Sequence, residues 1–138
     1  FLRLSGATIG KSTIIRPRCL LISPKRFKIG HNSVIGANAR IMNFSDVIIG
    51  NDVEIGPNVT LQTNEHVIID FLKPLGKQGV KFLDISIGNG CYFGSDVTIL
   101  HGVRITNNCL IGAKSVVNRN IDIPGLYAGV PAKLIKKF

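Results

Sequence analysis

An aliphatic residue recurs every six positions through most of this chain, and that beat excludes most folds. Ile9, Ile15 and Leu21 are followed by Ile29, Ile35 and Ile41, then by Ile49, Ile55 and Leu61. After a gap come Ile87, Phe93, Ile99, Ile105, Ile111, Val117 and Ile123. All sixteen positions are apolar. A helix needs a period of 3.6 and an ordinary strand a period of two, so neither fits. Six residues make one short strand and a turn, and three such strands close a triangular coil of eighteen residues. Stacked coils of this kind form parallel sheets around a dry interior, a solenoid. The steps 87 to 105 to 123 are eighteen, whereas 9 to 29 and 29 to 49 are twenty. The longer steps predict two-residue bulges at corners near 25–28 and 44–47.

Two further positions keep the same register. Gly follows the repeat residue eight times, at Gly10, Gly30, Gly36, Gly50, Gly56, Gly88, Gly94 and Gly112. Glycine suits a corner that needs either a positive φ or a close backbone approach. Four residues past the repeat residue the chain is small or β-branched, as at Thr13, Ser33, Ala39, Val53, Val59, Val97, Val103 and Ser115. All three cysteines, Cys19, Cys91 and Cys109, fall at this position too. They read as small core residues. An odd number of thiols without metal-ligand spacing reads as a reduced, cytoplasmic protein.

The chain is long enough, at 138 residues, for one domain spanning 1–138 with a real core. It does not begin with Met, so it is expected to be a truncated form of a longer product. Apolar residues make up 45% of it, which argues against disorder. No apolar run approaches the roughly 18–20 residues of a membrane span. A net charge of +9 points to an anionic partner. Nucleic acid is disfavoured, because the basic residues are not interleaved with a stacking aromatic platform.

The beat fails just after "LQTNEHVIID", residues 61–70, and returns at Ile87. The segment 67–84, "VIIDFLKPLGKQGVKFLD", keeps no six-residue register. Long irregular loops inside compact domains are usually functional.

The stretches "IGNDVEIGPNVTL", "FGSDVTILHGVRI" and "LIGAKSVV", with the ending "GLYAGVPAKLIKKF", resemble the hexapeptide-repeat acyltransferases. The order "NVTLQTNEH", irregular loop, "IGNGCYFGSDVTILHGV" is similar to the branch that acetylates galactosides, maltose, antibiotics and bacterial surface polysaccharides. That resemblance implies an all-β fold, a left-handed parallel β-helix with one extruded loop at about 67–84 and a short C-terminal tail. It also implies a homotrimer with a crevice between subunits, acetyl-CoA as co-substrate, no metal, and a sugar or glycan acceptor. A lipid-linked acceptor would make the protein peripheral to the inner membrane.

In the family a histidine at the end of a hexad, just before the loop, is the catalytic base, and His66 matches it. Imidazole, with an ordinary pKa of about 6.5, can take the proton of a sugar hydroxyl at neutral pH. The oxygen then attacks the thioester carbonyl, and the oxyanion needs fixed donors. Asn43 matches a family asparagine that contacts the acceptor and helps to stabilise that oxyanion. His101, in "ILHGV", reads as a surface corner residue, with lining the crevice as the alternative, and His31 reads as exposed. The three histidines lack a close pair, which argues against a metal site. By resemblance the coenzyme contacts fall at Ser95, Ala113, Asn118, Arg119, Lys133 and Lys136, the basic groups meeting phosphates. Tyr92 stands where the family usually has Trp, Lys114 where it usually has Gly, and the hexad at Ile105, "ITNNCL", lacks its Gly.

The leading reading is therefore acetyl transfer from acetyl-CoA to a sugar hydroxyl of a surface polysaccharide or lipid-linked glycan. The alternatives are N-acetylation of an amino sugar, O-acetylation of serine or an antibiotic, and a non-catalytic β-helical scaffold.

Overall fold

The computed structural model describes residues 2–138. Its strands form three parallel sheets that wrap one core, and each sheet is one face of a prism. On the first face Ile9, Ile29, Ile49, Ile87 and Ile105 pair in succession. The second face stacks Ile15, Ile35, Ile55, Phe93, Ile111 and Tyr127. On the third, Leu21, Ile41, Leu61, Ile99 and Val117 lie in register. The six-residue beat is thus the register of the solenoid: residues one coil apart lie on top of one another with their side chains inside. The cysteines lie where the small residues do, Cys91 and Cys109 buried and Cys19 half-buried. Burial raises all three thiols, and at Cys109 the neighbouring Cys91 adds to this, pushing it up to about 11.

The two explanations for the repeat glycine separate. The positive φ belongs to the residue three past the repeat position, at Ser12, Arg18, Asn32, Asn38, Asp52, Asn58, Asp96, Asn108 and Lys114. Most of these are Asn or Asp, the side chains that tolerate this region best. The repeat glycine itself serves close approach. A Cβ on Gly94 would lie 2.6 Å from the backbone nitrogen of Ala113 one coil on, and one on Gly56 would lie 2.9 Å from Gly94.

Two expectations need correction, and two gain detail. Ile123 is 44% exposed; the core position is Ile121, 4% exposed and bridged to Ile105. The last coil is shorter than its predecessors, so extending the beat to 123 overshoots. The wide corners lie at 22–26, with a 3-10 turn at Pro24–Arg26, and at 43–46. They sit upstream of 25–28 and 44–47 because Phe27 and Val47 already begin first-face strands, Phe27–Ile29 and Val47–Ile49.

The irregular loop is not wholly irregular. Strand Asn64–His66 pairs antiparallel with Val80–Phe82, so the excursion is a hairpin that opens three residues before 67. Its tip is built on Gln78: Oε1 accepts from the backbone N–H groups of Ile69 and Asp70 at 2.7 and 2.8 Å, and Nε2 donates to the Asp70 carbonyl at 2.7 Å. Finally, the C-terminal tail is a strand, Ala132–Lys137, antiparallel to Gly125–Gly129 at the edge of the second face.

Candidate active site

The hairpin leaves the prism at the corner between the third and first faces. There the Leu83 N–H donates to the Thr63 carbonyl at 2.8 Å, and the Gly102 N–H donates to the Leu83 carbonyl at 3.3 Å. The base of the hairpin therefore replaces one rung of that corner, between the coil that ends at Gln62 and the one that begins at Ile85. His66 is the last residue of the outgoing strand, opposite Val80, and is exposed. It stands on a paired strand rather than at the hexad corner expected for it, which fixes its backbone while leaving the imidazole open to solvent.

His101 is not the free corner residue that its hexad phase suggests. Its Nε2 lies 3.0 Å from Glu65 Oε2, and its side chain is only 21% exposed. Lys81, on the returning strand, reaches the same oxygen at 2.6 Å. Glu65 and Lys81 are cross-strand partners, so the hairpin register brings them together, and His101 reaches them from the next coil's corner. Lys81 chiefly, and His101 with it, holds the Glu65 carboxyl below the ordinary glutamate range. Sequence reasoning missed Glu65 and Lys81; adjacency to His66 is the one signal Glu65 carries. His31 is exposed as expected, and its Nδ1 accepts from the Lys11 N–H at 3.3 Å. It caps a ladder in which Asn51, Asn89 and Asn107 side-chain oxygens accept from backbone N–H groups one coil below.

Asn43 occupies the same corner one coil before His66's strand, so the expected register holds. The expected role does not fit. Asn43 is fully buried; its Oδ1 accepts from the Ser23 N–H at 3.0 Å and its Nδ2 donates to the Ser23 carbonyl at 2.7 Å. Next to it Thr63 Oγ1 donates to the Met42 carbonyl and accepts from the Ser45 N–H, both at 3.1 Å. These side chains replace the backbone bonds that a widened corner loses. Asn43 is a clamp between coils, with both ends of its amide engaged by Ser23.

Of the six residues expected to meet the coenzyme, three gather at the corner between the second and third faces. Ser95 and Ala113 occupy successive rungs, tied by the Lys114 N–H to the Ser95 carbonyl at 2.9 Å. Lys133 pairs with Ala128, which a Cβ on Gly112 would touch. Lys136 pairs with Leu126, farther along the same edge strand. Asn118 and Arg119 lie past the third-face strand Val116–Val117, towards the next corner. Ala113, Asn118, Arg119, Lys133 and Lys136 are exposed and Ser95 is half-buried, so small side chains and cations face outward around the last coils.

The family described as bacterial transferase hexapeptide (six repeats) matches residues 84–119, and the hexapeptide repeat of succinyl-transferase matches 27–63. These two segments flank the hairpin. The chain is 34% identical over 131 residues to the galactoside O-acetyltransferase of Escherichia coli K12, covering 95% of this chain and 64% of that protein. It therefore spans somewhat under two thirds of that relative's length. A candidate colanic acid biosynthesis acetyltransferase of Escherichia coli K12 is 28% identical over 138 residues, 99% of this chain and 72% of the relative. A solved galactoside acetyltransferase in complex with coenzyme A superposes with a TM-score of 0.89 at 34% identity, covering 99% of this chain and 67% of that one. With the same coils and the same likeness along nearly its whole length, this chain belongs to the hexapeptide-repeat acyltransferases, in the branch of the galactoside O-acetyltransferases.

Proposed function

We propose that the protein transfers the acetyl group of acetyl-CoA directly to a hydroxyl of a sugar, within a surface polysaccharide or a lipid-linked glycan precursor. The observation that carries this reading is the placement of His66. It ends the first strand of a hairpin that breaks an otherwise regular solenoid, and it is exposed there. The imidazole takes the proton of the acceptor hydroxyl as that oxygen attacks the thioester carbonyl. The tetrahedral intermediate collapses, the carbon–sulfur bond breaks, and the departing thiolate takes the proton back from the imidazolium. Coenzyme binding falls to the corner of Ser95 and Ala113 and to the cations at Arg119, Lys133 and Lys136. The relative solved with coenzyme A supports that part, and the candidate colanic acid relative supports a glycan acceptor.

The working enzyme is a homotrimer in this reading. The hairpin carries Ile69, Phe71 and Leu72 at 80%, 83% and 96% exposure, and a neighbouring subunit would cover them. The three unpaired thiols suit the cytoplasm.

The test is release of free coenzyme A thiol from acetyl-CoA by the purified protein, across sugars, glycan fragments, amino sugars, antibiotics and serine. Release with a hydroxyl sugar, and acetate found on oxygen, is expected. Release only with amino sugars would replace O-acetylation by N-acetylation, and release with no acceptor would favour a non-catalytic scaffold.

A further inference from the structure

The hairpin that carries His66 has two unlike sides. Successive residues of a strand point to opposite sides, and directly opposed residues of a pair share one. Glu65 and Lys81 are opposed, and their side turns to the following coil, where His101 meets them. Asn64 is opposed to Phe82 and His66 to Val80, so these four share the other side. That side turns to the preceding coil. The Phe82 ring lies 6.0 Å from the ring of Phe44, at an interplanar angle of 39°, and Phe44 belongs to the widened corner 43–46. One side of the hairpin is thus charged and tied down; the other is apolar, and His66 stands on it.

Packing against each other leaves much of both rings open: Phe82 is 52% exposed and Phe44 41%, with Val80 at 39%. An open aromatic ring beside His66 is a surface for the side of a pyranose that carries C–H groups. Those groups bear partial positive charge and meet the negative face of the π-system, and both surfaces leave water. The spacing suits a single sugar. His66 and Phe82 are diagonal neighbours across the two strands, about 7–8 Å apart, so a pyranose lying on Phe82 reaches His66 with a hydroxyl on its rim. This side offers no free charge besides the imidazole. Asn64, Val80, Phe82 and Phe44 are uncharged, and the carboxylates at its base are engaged, Asp46 with Arg26 at 3.5 Å and Asp84 with the Asp46 N–H at 2.9 Å.

We infer that Phe82, backed by Phe44, is the acceptor platform, and that the acceptor is a neutral pyranose lying with its C–H side on the Phe82 ring. The place of this platform in the reaction rests on the reading of His66 as the base for a sugar hydroxyl. It adds specificity to that reading. A 6-deoxyhexose, with a methyl where the parent sugar has a hydroxymethyl, gains on this apolar surface. A uronate loses water from its carboxylate and finds no free cation in return. An enclosing apolar site distinguishes ligands that differ by one small group by about 10–200-fold, so a half-open platform should prefer the 6-deoxy sugar by about tenfold at most.

The experiment measures thiol release from acetyl-CoA with the methyl glycosides of galactose, 6-deoxygalactose and galacturonic acid. The proteins are the wild type, Phe82→Ala, Phe82→Leu and Phe82→Tyr, each checked for fold by circular dichroism. Phe82→Ala should raise KM for the galactoside about tenfold, in the lower range of what an aromatic contributes by stacking a base, and leave KM for acetyl-CoA nearly unchanged. Phe82→Tyr keeps the π face and should stay near wild type. Phe82→Leu keeps apolar bulk without that face and should still raise the acceptor KM, which serves if the alanine variant does not fold. An unchanged acceptor KM in both the alanine and leucine variants, equal rises in the two KM values, or a preference for the galacturonide overturns the platform. Saturation-transfer NMR of His66→Ala with the same glycosides separates this from the reading of His66, because it needs no turnover. Enhancement confined to one side of the sugar ring, and lost when Phe82→Ala is added, upholds the platform even where no glycoside is acetylated and the reading of His66 fails. Its absence overturns the platform and leaves that reading standing.

Discussion

Glu65 and His101 are thirty-six residues apart in sequence, and Oε2 of one lies 3.0 Å from Nε2 of the other. With Lys81 Nζ at 2.6 Å on the same oxygen, Glu65 ties both strands of the hairpin to the coil above it. The residue after Glu65 is His66, so this tie sets where the exposed imidazole sits relative to the prism.

The first prediction concerns that tie. The Glu65 carboxyl is held below its ordinary value of 4.5, by Lys81 first and then His101. A depressed carboxyl contributes stability above its unfolded value and loses it as the pH falls through the folded one. Amide protection at 64–66 and 80–82 should therefore fall as the pH drops below the ordinary glutamate range. Glu65→Gln should show weaker protection at neutral pH and lack that acid-side loss. Hydrogen exchange read by mass spectrometry separates the two; identical profiles would mean that the tie does not hold the hairpin.

Lys114 should be replaceable with profit to the fold. It sits at φ 61, where the family usually has Gly. A left-handed conformation disfavours a non-glycine residue by about 1–2 kcal/mol, part of which the greater freedom of unfolded glycine offsets. The ion pair of Lys114 with Asp96 is 3.5 Å long, and its ammonium side chain is 81% exposed, so it contributes little. Lys114→Gly should stabilise by about 0.5–1 kcal/mol in urea denaturation. A lower midpoint would show that the lysine stem packs usefully on its corner.

For Asn43 the structure reverses the emphasis from chemistry to architecture. Asn43→Ala leaves the N–H and carbonyl of Ser23 without partners at a part-buried corner, which should cost about 2 kcal/mol. Turnover of the folded variant should fall far less than the 10²–10³-fold expected for loss of an oxyanion donor, taken as an order-of-magnitude guide. A stable variant with collapsed turnover would return Asn43 to the active site.

Coenzyme binding should be salt-sensitive. Lys133 and Lys136 are exposed on the edge strand, so their attraction for phosphate is screened over about 8–10 Å at ordinary ionic strength. KM for acetyl-CoA should rise with salt, and Lys136→Glu should raise it more than KM for the acceptor. Equal changes in the two constants would remove Lys136 from the coenzyme site.

How much of this was legible in the sequence follows from which contacts are periodic. Ile35, Ile55 and Phe93 stack because they share a hexad phase, and a hexad phase can be counted. The count failed at Ile123, because the final coil is shorter and nothing in the beat announces it. The clamp of Asn43 on Ser23 spans twenty residues, but it depends on a widened corner whose extra residues have no fixed phase. Glu65, Lys81 and His101 were invisible for a different reason. Their meeting depends on the antiparallel register of a hairpin that abandons the repeat, and pairing such as Glu65 with Lys81 is set by backbone geometry that composition does not reveal.

His66→Ala is the decisive substitution. His66 is exposed, at the end of a three-residue strand whose backbone pairing with Val80 does not need the imidazole. Removing the ring should change stability by roughly 0.5 kcal/mol or less, as at other surface positions. A general base contributes about 10²–10⁴-fold to rate, so turnover should fall by that order. The KM for acetyl-CoA should hold, because Ser95, Ala113, Lys133 and Lys136, proposed for the coenzyme, lie away from the hairpin's corner, and Asn118 and Arg119 lie two coils further along it. His101→Ala is the informative control. It removes one partner of Glu65 while Lys81 keeps the other contact, so the hairpin should loosen and KM for the acceptor should rise, with kcat far less affected than in His66→Ala. If the two variants lose kcat equally, the histidine that takes the proton is not identified by its place on the outgoing strand. If His66→Ala keeps near wild-type turnover, the general-base assignment fails.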